Sequence, residues 1–166
     1  DEIKFFQKIG VDKILVNSIT VKNEKLLQRA IGIFGNQFFM IGLDFKKEKN
    51  LYNFYYNNGQ KKINSSFTKW IKKIQKFNPG EILLQSIDRD GSLKGYDLEI
   101  IKKIKNYFEC PLLVCGGAGN WKHFVEAFKL GNIDAVCTNN IYHLTYKSIL
   151  SSKKYCIKNN IQIRLE

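Results

Sequence analysis

Polar and glycine residues that could do chemistry recur in this sequence at one kind of place, just after a short apolar run. Asp44 closes the run Met40-Ile41-Gly42-Leu43, and Asn17 follows Ile14-Leu15-Val16. Ser86, Asp88 and Asp90-Gly91 follow Ile82-Leu83-Leu84. Gly116-Gly117 follow Leu112-Leu113-Val114, and Asn139-Asn140 follow Val136-Cys137-Thr138. A carboxylate at the end of an apolar strand is partly desolvated while it faces a site, which raises its pKa toward values useful for proton transfer. Asp44 is therefore the candidate acid–base residue, and Asp90 is a second carboxylate at a strand end. The plain alternative for either is a helix cap or a loop salt bridge. Asp88 and Arg89 could simply pair with each other and orient their loop, which is another plain alternative.

Cys115-Gly116-Gly117-Ala118-Gly119 stands between a strand-like and a helix-like run. Glycines let the backbone come close to an anion, and a helix N-terminus offers unpaired N–H groups. The Asn139-Asn140 loop is expected beside it, and loops after the last two strands of a (βα)8 barrel form a phosphate cup. A tight turn is the competing explanation of the glycines. The run is not G-x-G-x-x-G, so nothing argues for a dinucleotide.

These clusters need elements that bring them to one edge. Apolar runs rich in β-branched residues alternate with amphipathic stretches of helical length, which argues for βα units on a parallel sheet. Strands are expected at Lys13–Asn17, Phe38–Asp44, Glu81–Ser86, Pro111–Cys115 and Asp134–Thr138. Helices are expected to end at Ile9 from Glu2, and to span Asn23–Phe34, Ser66–Phe77, Asp97–Phe108, Trp121–Leu130 and Thr145–Lys158, before a short apolar tail, Ile161–Leu165. Phe67, Trp70, Ile71, Ile74 and Phe77 make one stripe at helical spacing, which reads as core. The polar, aromatic stretch Phe45–Asn64 holds Asn57-Asn58-Gly59, a turn signal that predicts a β-hairpin near residues 50–62 after the second strand. In parallel α/β folds the site is built where the strands end. Length alone leaves a five-stranded doubly wound sheet open beside part of a barrel, which takes about 250 residues when complete.

Composition excludes several classes. The 166 residues are 44% hydrophobic and 25% charged, as in one soluble globular domain. No apolar run reaches the roughly 18 residues of a membrane span, and no signal peptide opens the chain. The four cysteines show no C-x-x-C spacing and there are only two histidines, so reduced core thiols are expected and no metal site. A net charge of +12 suits an anionic partner, either nucleic acid or a phosphorylated metabolite, or else lysines that coat solvated helix faces. The aromatics fall on helix stripes and no RNA-binding motif is present, so nucleic acid is not expected.

Three stretches carry a specific resemblance: GEILLQSIDRDGSLKGYDLE (Gly80–Glu99), CGGAGNWKHFVEAF (Cys115–Phe128) and DKILVNS (Asp12–Ser18). IGLD (Ile41–Asp44) and NNG (Asn57–Gly59) fall in the same order. Together they resemble the cyclase subunit of imidazole glycerol phosphate synthase over essentially the whole chain, from Asp1 to Glu166. The resemblance implies a single-domain (βα)8 TIM barrel in the cytoplasm, without metal or organic cofactor. It implies a glutamine amidotransferase partner, whose ammonia attacks a bis-phosphorylated ribulosyl formimino-carboxamide ribotide. The expected products are imidazole glycerol phosphate and an aminoimidazole carboxamide ribotide, in a lyase step of histidine biosynthesis.

Residue by residue, the resemblance makes Asp44 the catalytic aspartate. Asn17, Ser86, Asp90, Asn58 and Gly59 become substrate-binding, the last two on a flexible loop. Gly91, Gly116, Gly117, Asn139 and Asn140 become the phosphate loops. Lys13 and Glu81, at the opposite rim, match half of a charged ring that admits ammonia, and Asp12 matches a contact to the glutaminase. Local pairing and solubility are the plain alternative for these three.

The sequence departs from the family in two ways. The family begins with three more strands, the first carrying another catalytic aspartate, so the start is expected to be missing and the chain as it stands to be inactive. Cys115 stands where the family usually has Ser, and Thr138-Asn139-Asn140 replaces a smaller turn. That change suits a relative that supplies ammonia for sugar amidation in surface-polysaccharide synthesis, which is the second expectation. A non-catalytic scaffold that docks the glutaminase is the third.

Overall fold

Alternating β-branched runs and amphipathic stretches do produce βα units. The computed structural model describes residues 2–131, 133–144 and 148–165. Asp1, Asn132, Glu166 and residues 145–147, where the last helix was expected to begin, lie outside them.

In chain order the elements are α1 (Glu2–Lys8), β1 (Ile14–Val16), α2 (Ile19–Lys22), α3 (Glu24–Phe34), β2 (Phe39–Glu48), β3 (Leu51–Tyr56), β4 (Lys61–Lys62), α4 (Phe67–Gln75), β5 (Glu81–Ser86), α5 (Leu98–Ile104), β6 (Leu112–Cys115), α6 (Trp121–Lys129), β7 (Ala135–Cys137), α7 (Asn140–Leu144) and α8 (Ile149–Lys158). A 3-10 turn, Asn36–Phe38, leads into β2. All seven strands join one sheet. Five of them run parallel in the order β1-β2-β5-β6-β7, and each but the last is followed by at least one helix before the next parallel strand. These are five βα units of a barrel wall, with β1 and β7 at its two open edges among the described residues.

The hairpin differs from its expectation in detail. β2 does not stop at Asp44 but runs on to Glu48. Its first half pairs β1, and from Asp44 onward it pairs β3 on that same side. The reversal is the two-residue loop Lys49-Asn50, both with positive φ, which gives the twist a tight hairpin needs. A Lys-Asn pair is a weak turn signal, so the sequence pointed instead to Asn57-Asn58-Gly59, which makes the second reversal, between β3 and β4.

The two faces of the parallel sheet differ sharply. Phe39, Ile41, Leu43, Ile82, Leu84, Leu112 and Val114 are buried beneath the helices. The alternate positions, among them Leu15, Met40, Asp44, Leu83, Gln85, Leu113, Cys115 and Cys137, are half-buried or exposed. This second face is the barrel interior. On the helix side, α4 contributes its predicted stripe, with Trp70, Ile71, Ile74 and, just beyond its end, Phe77 buried. The helix expected over Asp97–Phe108 ends early, at Ile104, and uses Asp97 as its N-cap. The closing helix is α8, and a short helix that was not expected, α7, precedes it from Asn140.

Candidate functional site

Because all five strands are parallel, their C-terminal ends share one edge, and most of the predicted residues lie there. Asp44 sits at the point where β2 exchanges β1 for β3. Its side chain faces the barrel interior in register with Gln85 of β5. Burial raises the Asp44 carboxyl above its ordinary value, and a hydrogen bond from the Asn17 side chain offsets part of that rise. Asn17 also donates to the Gly42 carbonyl at 3.2 Å, which fixes it beside the strand.

A second cluster lies a strand away. Asp90, Gly91, Gly116, Gly117, Asn139 and Asn140 line one pocket of about 290 Å3, together with Cys115, Ala118, Cys137 and Thr138. The glycines are required by packing. Gly116 (φ +94°) has no room for a Cβ, which would lie 2.5 Å from the Ser86 carbonyl oxygen. At Gly117 (φ +107°) it would lie 2.2 Å from the Gly95 oxygen. The Gly95 N–H donates to the Gly117 carbonyl at 2.7 Å, so the loop after β5 and the loop after β6 form one wall. Asp44 and Asp90 both act electrostatically on the Cys115 thiol, which burial above all pushes up to about 11. Asp44 and the glycine pocket thus both lie within electrostatic reach of Cys115.

The β3–β4 turn closes over this edge. The Asn57 N–H donates to Ser18 Oγ at 2.9 Å, just beyond β1. A Cβ on Gly59 would touch Ile87 at 3.0 Å, just beyond β5. Asn58 is exposed and Gly59 half-buried in this turn. At the opposite rim Lys13 Nζ lies 3.2 Å from Glu81 and donates to the Gln37 carbonyl at 2.8 Å. Asp12 is exposed beside them. The rim group and the strand-end group thus occupy the two ends of the same interior face.

Three expectations need correction. Ser86 is buried, 2% exposed, on the helix side of β5, so its side chain does not line the interior. Gln85 occupies the interior position, and the period-2 alternation from Glu81 through Leu83 was the signal that could have found it. Asp88 and Arg89 do not pair with each other. Asp88 accepts from the Lys47 backbone N–H at 2.7 Å, while Arg89 faces Asp97 at 3.7 Å and donates to the Gly95 and Tyr96 carbonyls. Adjacent residues on a turn point apart, and Asp97 is the buried carboxylate within reach. Finally, part of the α6 N-terminus is already satisfied. The His123 N–H is capped by Asn120, and the Gly119 N–H donates to His123 Nδ1 at 3.0 Å.

Asp97 was missed altogether as an organiser. It caps α5 through the Glu99 and Ile100 N–H groups and accepts from Tyr52 Oη at 3.0 Å. One buried carboxylate therefore ties the hairpin, α5 and, through Arg89, the Asp90 loop. Among the described residues no group of three His, Cys, Asp or Glu side chains is placed to hold a metal ion, and no helix is long and apolar enough to cross a membrane.

The sequence model of one family, described as "Histidine biosynthesis protein", matches residues 1–147. The chain belongs to this family. It is 36% identical to the imidazole glycerol phosphate synthase subunit HisF of Hydrogenobaculum sp. (strain Y04AAS1) over 166 residues, 99% of this chain and 66% of that relative. The subunits of the same name from Clostridium botulinum (strain Okra / Type B1) and Saccharolobus solfataricus are 34% and 33% identical, with the same two coverages. The chain thus spans just under two thirds of the length of these relatives. Family membership accounts for the fold: five parallel βα units are part of a (βα)8 barrel wall, not a doubly wound sheet.

Proposed function

We propose that the protein is the cyclase of an imidazole glycerol phosphate synthase. In this reading it uses ammonia to convert a bis-phosphorylated ribulosyl formimino-carboxamide ribotide to imidazole glycerol phosphate and an aminoimidazole carboxamide ribotide. The observation that carries the reading is Asp44. It is a half-buried carboxyl with a raised pKa, on the interior face of a parallel sheet, one strand from a glycine-walled pocket. A carboxyl so tuned exchanges a proton more readily near neutral pH than an ordinary one.

In this mechanism Asp44 moves the proton during ring closure, and Asn17 orients it. Gly91, Gly116, Gly117, Asn139 and Asn140 receive one phosphate through backbone and amide donors. Asn58, Gly59 and the hairpin that bears them cover the bound ribotide, with Asp90 at the pocket mouth and Gln85 replacing Ser86 on the interior face. A glutamine amidotransferase docks at the rim of Asp12, Lys13 and Glu81 and delivers ammonia between the strands. No cofactor is called for, and cytoplasmic synthesis fits the four free thiols. A relative that supplies ammonia for sugar amidation in surface-polysaccharide synthesis is the second reading, favoured by the polar amides Asn139 and Asn140 and the thiols Cys115 and Cys137 in the pocket.

The test is turnover of the ribotide by the full-length protein supplied with an ammonium salt. Release of both products supports the cyclase. A folded protein with no turnover contradicts it.

A further inference from the structure

A second depression lies away from the strand ends, on the helical flank. It measures about 1080 Å3, above the roughly 300–1,000 Å3 typical of small-molecule sites. Half-buried Val21 and Tyr56 give it an apolar floor, underlain by buried Ile63 and Trp70. Its rim carries five lysines, Lys62, Lys69, Lys72, Lys73 and Lys76, against one carboxylate, Glu24. Lys73 pairs with Glu24 and lies over the Trp70 ring, and Lys62 pairs with Glu48. Lys69, Lys72 and Lys76 are exposed and have no ion pair among the described residues.

The spacing of these lysines is not neutral for the helix. Lys69, Lys72, Lys73 and Lys76 fall at i, i+3, i+4 and i+7 along α4 and its C-cap, and α4 contains no acidic residue. Like charges at i,i+4 repel, and a cation in the first turn opposes the helix dipole. Lys72, Lys73 and Lys76 at the C-terminal end favour the dipole, but the pairs Lys69/Lys73 and Lys72/Lys76 repel, and an anionic occupant relieves that repulsion.

We propose that this groove is a docking site for an acidic segment of a partner polypeptide, one whose carboxylates alternate with apolar side chains. The lysine rim meets the carboxylates, and the floor takes the apolar groups. Nucleic acid fits less well. Sequence-tolerant binding of single strands uses open aromatic faces, and Trp70 is only 3% exposed.

The experiment is fluorescence anisotropy of the full-length protein with a labelled peptide alternating glutamate with leucine. A glutamate–serine peptide and an oligo-uridylate serve as comparators. The glutamate–leucine peptide is expected to bind saturably, more tightly than both comparators and less tightly as salt rises. The variant Lys69→Gln/Lys72→Gln/Lys76→Gln removes the repulsion and so should fold, yet it should lose ~10-fold or more in affinity. The variant Lys102→Gln/Lys129→Gln, on α5 and just beyond it on α6, should bind like the wild type. Equal binding of the glutamate–serine peptide, tighter binding of the oligonucleotide, undiminished binding by the α4 variant, or equal loss in the α5/α6 variant would each overturn the proposal.

Discussion

At the residue scale, Asp44 combines two demands that oppose each other. In the proposed reading its position serves proton transfer, and the same desolvation makes its charged form costly to the fold. Because the folded-state pKa is raised, the stability tied to its protonation is fully present below the unfolded value and is lost as pH rises through the folded one. Asp44→Asn should therefore be more stable than the wild type at pH 7, with the gain vanishing below about pH 3.8, the ordinary value. Urea unfolding at the two pH values checks the sign. Gly117 makes a different claim. Gly117→Ala forces both a left-handed backbone and a clash with Gly95, so it should cost more than the ~1–3 kcal/mol of backbone strain alone. Gly10→Ala, also at positive φ but in open space, should cost only the strain. Similar losses for the two would remove the packing argument.

Elements were legible where one period dominated. The α4 stripe was read residue for residue, since 3.6-residue spacing leaves no other face to bury. Ile71→Ala should cost about 2–5 kcal/mol, whereas Lys72→Ala should change stability by less than about 0.5 kcal/mol; chemical denaturation distinguishes them. The strand-end clusters at Asn17, Asp44, Asp90, Gly116 and Asn140 were legible for the same reason, because a parallel sheet sends every C-terminal end to one edge. What was not legible depended on partners distant in sequence. The extension of β2 beyond Asp44 exists because β3 folds back onto it, and Lys49-Asn50 does not announce that turn. The strand-end cluster and the family resemblance pointed to Ser86, whereas period-2 alternation puts Gln85 on the interior face. Asp97, 6% exposed, stood in the sequence only as the start of a helix, and its links to Tyr52 and Arg89 appear only in three dimensions.

The whole molecule is an open wall with one face finished. The sheet residues that face the helices are buried, whereas Leu15 on the interior face of β1 is 55% exposed, as are Phe5 and Ile9 in the segment before it, at 58% and 57%. An unpaired strand edge with apolar neighbours associates readily. The 166-residue chain by itself should therefore sediment as concentration-dependent assemblies, and Leu15→Lys should shift it toward monomer. A monomer at all concentrations would show that this edge is already satisfied.

The central claim is that Asp44 handles the proton in an ammonia-dependent cyclisation. The most direct measurement is the single-turnover rate of ribotide consumption by the full-length protein with saturating ammonium, for the wild type and Asp44→Asn. A fall of roughly 10²-fold or more, with the variant folded and still able to bind ribotide, is the expected result. A near-wild-type rate would contradict the account.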